Sequence, residues 1–269
     1  TFNWIASELP LNSEAIAAVD IALHDLWAKS QKKTLVDALG KKHQSFNTSI
    51  TIGVSSLEKT IEMAKKHIGN GFSILKIKIG DCVEEDIERM KALFELKPEK
   101  IKIRVDANRG YSKEQLIKFY DETLDLGLEL IEQPMEVDQN SEMLYFPEEI
   151  RKICVADESL QNFDHAVRLV QEPKPFGVFN IKLMKCGGIF TARKIAALAH
   201  ENDIKLMWGC FDESKLSISA ALHTALSCEN TQYIDLDGFF DLGWDLVEGG
   251  YTCENGIMSV IEKPGLGAY

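Results

Sequence analysis

The sequence has no excess of basic residues, no long apolar run and no clustered cysteines. Its 269 residues include 30 lysines and arginines against 42 aspartates and glutamates, a formal net charge of -12. That acidity argues against nucleic acid or an acidic membrane surface as a partner. No apolar run approaches the roughly 20 residues of a membrane span. The stretch Thr1–Pro10 lacks the basic and apolar regions of a secretory signal.

The six cysteines are too far apart to form a CxxC pair, and no histidine cluster accompanies them. Both a zinc site and a disulfide framework are therefore disfavoured. We expect free thiols and, as their default environment, a reducing cytoplasm. With 45% hydrophobic residues, the chain can bury one large core or two small ones. Its length also suits a single (β/α) barrel, since such barrels run to about 250 residues.

A predicted strand with two lysines, Ile74-Leu75-Lys76-Ile77-Lys78-Ile79-Gly80, is the most informative stretch. Side chains two apart share a face, so both lysines lie on one face of the strand and aliphatic residues on the other. Taken alone, this pattern suits a half-exposed strand with its lysines in water. Later predicted strands also end in charged residues, at intervals of 28, 26, 25 and 25. These strand-end residues are Lys78, Asp106, Glu132, Asp157 and Lys182.

An interval of that length fits one strand, one helix and two loops. Alternating strands and helices indicate parallel βαβ units. Eight such strands predict an α/β fold, a TIM-type (β/α)7β barrel over residues 13–245. Its strand-end charges would lie at the carboxyl ends of the strands, where such barrels have their active sites. A doubly wound open sheet is the alternative, but no GxGxxG opens any predicted helix.

Three of the strand ends are acidic, and we expect Asp106, Glu132 and Asp157 to converge from adjacent strands. Three carboxylates in one place repel strongly unless they are protonated or neutralised by a cation. Ligation by oxygen alone indicates a hard ion, with Mg²⁺ as the first choice and Mn²⁺ as the second. The alternative is that these acids only form salt bridges or cap loops.

Two strand ends are lysines, Lys78 on the second strand and Lys182 on the sixth. In a closed barrel those strands lie on opposite sides. The arrangement suits an acid and a base acting on opposite faces of one carbon. The alternative is that both lysines pair with the carboxylates and that no metal binds.

Five short motifs, in this order and spacing, resemble the muconate-lactonizing subgroup of the enolase superfamily. They are Lys76-Ile77-Lys78, Asp106-Ala107-Asn108, Glu132-Gln133-Pro134, Ala156-Asp157-Glu158-Ser159 and Lys182-Leu183-Met184-Lys185-Cys186-Gly187-Gly188. The resemblance covers about residues 13–265. It implies Asp106, Glu132 and Asp157 as Mg²⁺ ligands and Lys78 with Lys182 as the acid/base pair. It further implies that Lys76 tunes Lys78 or contacts a substrate carboxylate.

The subgroup performs several reactions, and the predicted eighth strand, Tyr233–Asp237, discriminates between them. Asp235-Leu236-Asp237 places two carboxylates on one face at the end of that strand. Two buried acids directed at a substrate suit a cationic group such as a free α-ammonium. The motif resembles that of the dipeptide epimerases. A pair of loop-capping aspartates near Gly238 is the alternative. The segment Gly209–Ser214 is similar to the family's loop after strand seven, which implies that Glu213 lies near the substrate.

The resemblance implies a Mg²⁺-dependent isomerase that inverts the α-carbon of the C-terminal residue of an L,L-dipeptide. One lysine removes the α-proton, the metal stabilises the resulting enediolate, and the other lysine reprotonates the opposite face. An N-acyl (N-succinyl) amino acid racemase, an o-succinylbenzoate synthase and a muconate cycloisomerase are alternatives on the same scaffold. A Schiff-base aldolase and a non-catalytic carboxylate-binding scaffold are alternatives of other classes.

Members of this family carry an α+β capping domain before the barrel, and this chain has almost none of it. We expect residues 1–12 to be a remnant of its connection and residues 246–269 to be the segment that returns towards it. Either the chain is a fragment of a longer protein or the mouth of its barrel is open. We expect a fragment, because an uncapped mouth would leave the enolate exposed to water. The resemblance implies that loops of this cap close the site and contact the substrate side chain. The pathway and the oligomeric state, including a homo-oligomer, stay open.

Overall fold

The computed structural model describes residues 12–269. Residues 1–11, most of the predicted capping-domain remnant, lie outside the described residues. The strands are β1 (Phe46–Asn47), β2 (Ile50–Ile52), β3 (Ile74–Lys78), β4 (Lys102–Asp106), β5 (Leu130–Glu132), β6 (Cys154–Ala156), β7 (Val178–Ile181), β8 (Lys205–Gly209), β9 (Thr231–Asp235), β10 (Tyr251–Glu254) and β11 (Ile257–Val260).

Ten α-helices are found among the described residues. They are α1 (Ser13–Ser30), α2 (Leu35–Leu39), α3 (Leu57–Gly69), α4 (Val83–Leu96), α5 (Lys113–Thr123), α6 (Glu148–Arg151), α7 (Phe163–Leu169), α8 (Leu183–Cys186), α9 (Ile189–Glu201) and α10 (Lys215–Ala225). Short 3₁₀ helices occupy Leu124–Leu126, Val137–Tyr145 and Gly238–Asp241. Five of these ten helices begin with a side-chain cap, at Asn12, Thr34, Ser56, Ser112 and Asn162. Ser112 and Gln115, for example, form a reciprocal capping box at the start of α5.

Strands β2 to β9 follow one another in chain order in one eight-stranded sheet, as predicted for the barrel. The pairs from β2 through β6 and the pair β8–β9 are parallel. By density of contacts the described chain divides into two compact units. Unit 1 comprises residues 12–48, 160–170 and 179–269, and unit 2 comprises residues 49–159 and 171–178.

Within unit 2, the lysine-bearing strand β3 is buried on both faces. Leu75 and Ile77 have no exposed surface, and Lys76 retains only 4% of its surface. Strands of parallel sheets are commonly covered on both sides, which explains the aliphatic face. The buried Lys76 needs a further explanation. A buried ammonium is costly unless it has a charged partner. The half-exposed alternative for this strand is thereby excluded.

Within unit 1, strand β9 begins two residues earlier than the sequence pattern predicts, at Thr231 rather than Tyr233. The Thr231 hydroxyl accepts a hydrogen bond from the indole nitrogen of Trp208 at 3.0 Å and donates one to the Ala225 carbonyl at 2.8 Å. These bonds hold a polar residue inside the sheet. A register irregularity in the β8–β9 pairing, where Leu206 lies opposite Thr231 and Met207 opposite Tyr233, accommodates one extra residue, Gln232. Strand β9 ends at Asp235, two residues before the predicted end at Asp237.

The C-terminal segment of unit 1 forms a second, antiparallel sheet that the sequence analysis did not predict. Strand β11 pairs with β10 and also with β1, where Phe46 lies opposite Met258. All six cysteines lie in the described part of the chain and are free thiols, as expected. None of the helices in the described part is both long and apolar enough to cross a membrane.

Candidate active site

Unit 2 carries four of the predicted site residues at the carboxyl ends of neighbouring strands. Lys78 on β3 is paired in register with Asp106 on β4, and Asp106 is paired with Glu132 on β5. Asp157 comes directly after β6. The exposed fractions of the three acids are 1%, 2% and 4%. Paired residues of parallel strands present their side chains to the same face, so the register places Asp106 and Glu132 side by side. The convergence of all three acids stays a prediction.

One buried ammonium lies between two of these acids. The Nζ atom of Lys76 is 3.0 Å from Oδ2 of Asp106 and 2.8 Å from Oε2 of Glu132. The two carboxylates therefore converge on one cation position. Within residues 12–269, no group of three or more acids, cysteines or histidines is gathered closely enough to hold a metal ion. The metal site consequently stays a prediction, with a lysine ammonium between two of its predicted ligands.

The second lysine of the strand has polar partners of its own. Lys78 donates hydrogen bonds to Oδ2 of Asp106 at 2.7 Å and to Oδ1 of Asn108 at 2.6 Å. Burial of Asp106 acts to raise the pKa of its carboxyl. The ammonium groups of Lys76 and Lys78 outweigh that effect and hold the pKa below its usual value. Asp106 is therefore an anion despite its burial.

The loop after β4 supplies a partner that the sequence analysis quoted only as part of a motif. Asn108 and Arg109 have positive φ values of 41° and 71°, a conformation that asparagine tolerates better than most residues. This turn lets the Asn108 N–H donate to Oδ1 of Asp106 at 3.0 Å. The Asn108 side chain donates to Oε1 of Glu158 at 3.3 Å. Asn108 thus contacts both Asp106, a predicted metal ligand, and Lys78, a predicted base.

By charge and by ligand chemistry, the predicted donor set of unit 2 suits a divalent cation. Three carboxylates and two ammonium groups leave one net negative charge. The charge of Asp157 acts against the lowering of the Asp106 pKa, which places these two acids within electrostatic reach of each other. Buried carboxylate oxygens are the protein ligands that Mg²⁺ prefers. The residues that would hold the ion are Asp106, Glu132 and Asp157.

Unit 1 carries the sixth-strand lysine. Lys182 comes directly after β7 and precedes helix α8. Its Nζ atom lies 4.7 Å from the centroid of the Phe211 ring, within the range of a cation–π interaction. Phe211 belongs to the loop after β8, and 49% of its surface is exposed. Its contact with Lys182 was not predicted, because the two residues are far apart in the sequence.

The same loop holds Glu213 beside Lys182. The Glu213 carboxylate accepts a hydrogen bond from the Phe211 N–H at 3.0 Å and another from the Ser217 hydroxyl. Burial raises the pKa of Glu213, and these two hydrogen bonds and the charge of Lys182 oppose that rise. Glu213 is therefore fixed by its own loop and lies within electrostatic reach of the lysine. Its predicted role towards a substrate stays a prediction.

Strand β9 carries the predicted acid pair. Asp235 ends the strand and retains 5% of its surface, and Asp237, just before a 3₁₀ helix, retains 9%. The Cys210 thiol donates to the Asp235 carbonyl at 3.4 Å. Burial raises the pKa of Cys210 well above its usual value, and the charges of Asp237 and Asp235 raise it further. Both carboxylates thus lie close to one thiol at the end of β9.

Gly238 lies where the loops that follow β8 and β9 approach each other closely. A Cβ atom at this position would overlap the carbonyl oxygen of Phe211 and lie 3.1 Å from Sγ of Cys210. Only glycine allows the two backbones to approach this closely. This close approach keeps Asp237 beside the loop that carries Phe211 and Glu213.

A family model described as "Enolase C-terminal domain-like" matches residues 59–269. The chain belongs to this family. An L-Lys-D/L-Arg epimerase of Desulforapulum autotrophicum is 51% identical over 253 residues, which cover 94% of this chain and 71% of the relative. An L-Lys-D/L-Arg epimerase of Methylococcus capsulatus is 45% identical, over 98% of this chain and 74% of the relative.

A solved structure of similar fold is that of a dipeptide epimerase from Methylococcus capsulatus, complexed with Mg and the dipeptide L-Arg-D-Lys. It matches with a TM-score of 0.97 and 44% identity, over 99% of this chain and 75% of that one. The barrel fold and the family resemblance predicted from the sequence are thereby confirmed. The relatives are epimerases, which is the enzyme class that the sequence predicts.

Proposed function

We propose that this protein is a Mg²⁺-dependent dipeptide epimerase that inverts the α-carbon of the C-terminal residue. The observation that carries the proposal is the buried acid pair at the end of β9, Asp235 and Asp237. Two buried carboxylates at one strand end suit a cationic group of the substrate, because charge-assisted hydrogen bonds to a carboxylate are strong. The free α-ammonium of a dipeptide provides such a group.

The metal would be held by Asp106, Glu132 and Asp157, whose oxygens are buried at neighbouring strand ends. When bound, Mg²⁺ supplies positive charge that stabilises negative charge on the substrate carboxylate. Lys76 assists this stabilisation, because its ammonium lies within 3.0 Å of both Asp106 and Glu132. Its position also explains how the site balances its charge before the ion binds.

Lys78 and Lys182 would exchange protons with the α-carbon. One lysine in its neutral form takes the α-proton, and the other, as an ammonium, gives a proton to the opposite face. Lys78 is oriented by Asp106 and Asn108, and Lys182 by the Phe211 ring. Proton count is conserved in each turnover, and the lysines have exchanged protonation states at its end.

The competing N-acyl amino acid racemase has a substrate whose nitrogen is an uncharged amide. Such a substrate offers no cation to Asp235 and Asp237, and a muconate offers none either. A Schiff-base aldolase would leave the three acids of unit 2 without a role. We therefore favour dipeptides over these alternatives.

We extend the proposal to dipeptides of lysine and arginine residues. Two relatives of this chain, at 51% and 45% identity, are named for such substrates. A chain with a formal net charge of -12 also attracts cationic substrates over long range. The ammonium and guanidinium groups of such dipeptides complement this acidic field.

Proton exchange in D₂O tests the proposal. The protein with Mg²⁺ is given L-Lys-L-Arg, L-Ala-L-Glu, L-Leu-L-Tyr and N-succinyl-L-arginine, and mass spectrometry reads the gain of one deuteron. We expect exchange in dipeptides, fastest in L-Lys-L-Arg, and none in the N-succinyl compound. Exchange confined to N-succinyl-L-arginine would replace the dipeptide assignment. Equal rates for all dipeptides would refute the cationic preference alone.

A further inference from the structure

Gln133 occupies a central position among the three loops that carry the acids of unit 2. It follows Glu132 directly, has no exposed surface and adopts a left-handed conformation with φ of 32°. Its N–H donates to the Val155 carbonyl at 2.9 Å, and its carbonyl accepts from the Arg109 N–H at 2.8 Å. The backbone of this one residue therefore joins β6 on one side to the loop after β4 on the other.

The side-chain amide of Gln133 uses its whole hydrogen-bonding capacity. Its Oε1 accepts from the N–H groups of Asp157 and Ser159, each at 3.0 Å. Its Nε2 donates to the Met135 carbonyl at 3.0 Å and to the Ser159 hydroxyl at 2.9 Å. The bond to the Asp157 N–H holds the backbone of an acid that stands outside a strand.

The Ser159 hydroxyl continues this set of bonds by donating to Oδ1 of Asn140 at 2.8 Å. Asn140 belongs to the 3₁₀ helix that follows β5. The loops after β5 and β6 are thus bonded to each other through one amide and one hydroxyl. Asp157 lies beyond the last residue of β6, so these side-chain bonds hold it where strand pairing does not.

We propose that Gln133 is a positioning residue that fixes the spacing of Asp106, Glu132 and Asp157 and thereby sets the preference of the site for Mg²⁺ over Ca²⁺. The inference rests on the proposed metal site. Mg²⁺ requires near-ideal octahedral oxygens at about 2.0–2.1 Å, whereas Ca²⁺ accepts variable geometry at about 2.3–2.6 Å. Acids held at one spacing favour the smaller ion, and acids that can shift lose that advantage.

The test replaces Gln133 with methionine, which has a similar length but neither donor nor acceptor of comparable strength. Calorimetry on the full-length protein then measures Kd for Mg²⁺ and for Ca²⁺ without substrate. Loss of groups that orient metal ligands commonly costs about 10–100-fold in affinity. We expect that loss for Mg²⁺ and a change below about threefold for Ca²⁺, in line with the tolerance of Ca²⁺ for variable geometry.

Asn230→Leu is the matched control. The Asn230 amide donates to the carbonyls of Ile204 at 3.0 Å and Ala196 at 3.4 Å, just before the first residue of β9. Asn230→Leu therefore also removes the hydrogen bonds of a partly buried amide, but at the amino end of a strand instead of a carboxyl end. Both Kd values should stay unchanged. If Gln133→Met does not fold, Ser159→Ala removes one of the same bonds and should shift the Mg²⁺ affinity alone, by a smaller factor.

Two results would overturn the inference. One is an unchanged Mg²⁺ affinity in a folded variant at Gln133 or Ser159. The other is an equal loss for both ions, since a general loosening of unit 2 would produce it. The variant Asp157→Asn tests the proposed metal site separately from the role of Gln133. If that variant binds Mg²⁺ as the parent does, the metal site itself is wrongly assigned, and the inference falls with it.

Discussion

The Nζ atom of Lys78 lies 2.7 Å from Oδ2 of Asp106, its register partner on the neighbouring strand. A predicted base and a predicted metal ligand thus form a direct ion pair within one sheet. A divalent cation bound to Asp106 would compete with the ammonium for that oxygen. Occupancy of the metal site would therefore change the ion pair that holds Lys78.

The two lysines should be essential for epimerisation and dispensable for metal binding. Positioned acid–base groups commonly contribute about 10²–10⁴-fold to a rate, so Lys78→Met and Lys182→Met should each lower kcat by at least about 100-fold. Each variant should still exchange the α-proton of one epimer with D₂O, because the other lysine remains. Lys118→Met, on the exposed surface of α5, should be neutral. Full turnover in either variant would disprove the two-base assignment.

Removal of the metal should stop the reaction reversibly. We expect EDTA to abolish deuterium exchange in dipeptides and Mg²⁺ to restore it, since negative charge on the substrate carboxylate then lacks its stabilising cation. Asp157→Asn should weaken Mg²⁺ binding, measured by calorimetry, while the exposed Asp164→Asn on α7 should not. Exchange that persists in EDTA would contradict the requirement for a metal.

Asp235→Asn should raise KM for dipeptides and leave Mg²⁺ affinity intact. A hydrogen bond to a charged group contributes about 1.5–3 kcal/mol, which corresponds to about 10–100-fold in KM. N-succinyl compounds should not show this loss, because their nitrogen carries no charge. Steady-state kinetics with both substrate classes measures the difference. An unchanged KM for dipeptides would remove the main reason for preferring them.

Gly238→Ala should disturb the loops after β8 and β9. The added methyl group would overlap the Phe211 carbonyl oxygen, and overpacking of this kind costs about 1–3 kcal/mol of unfolding free energy. Dipeptide affinity should fall together with stability, because Asp237 moves with the loop. At Gly243 a Cβ atom meets nothing within 4 Å, so Gly243→Ala should preserve both. Denaturant unfolding with parallel kinetics provides the comparison.

His223 should make the protein less stable in acid. It is fully buried, and burial lowers its pKa from 6.5 to about 4. As the pH falls, His223 therefore binds a proton in the unfolded state before it does so in the folded state. The free energy of unfolding falls between about pH 6.5 and 4, by about 3 kcal/mol in total. His223→Gln should flatten the curve of unfolding free energy against pH in that window. The same slope in the variant would assign the acid sensitivity to other groups.

Most of the site residues could be predicted from sequence because strands encode side-chain direction locally. The period of two places Lys76 and Lys78 on one face, and the repeat of 25–28 residues places Asp106, Glu132 and Asp157 at equivalent strand ends. Their partners could not be predicted in this way. Asn108 reaches Lys78 through a left-handed turn, and Phe211 reaches Lys182 from a later loop.

The sequence by itself determined the alternation of barrel strands and helices, the free cysteines and the chemistry offered at each barrel strand end, because periodicity and composition act over neighbouring residues. Only the tertiary structure decided what depends on residues far apart in the chain. Lys76 lies between two acids, Thr231 enters β9 through its bonds to Trp208 and Ala225, and Phe46 pairs with Met258. Contacts between residues so far apart in the sequence depend on how the whole chain packs, and no local sequence pattern predicts them.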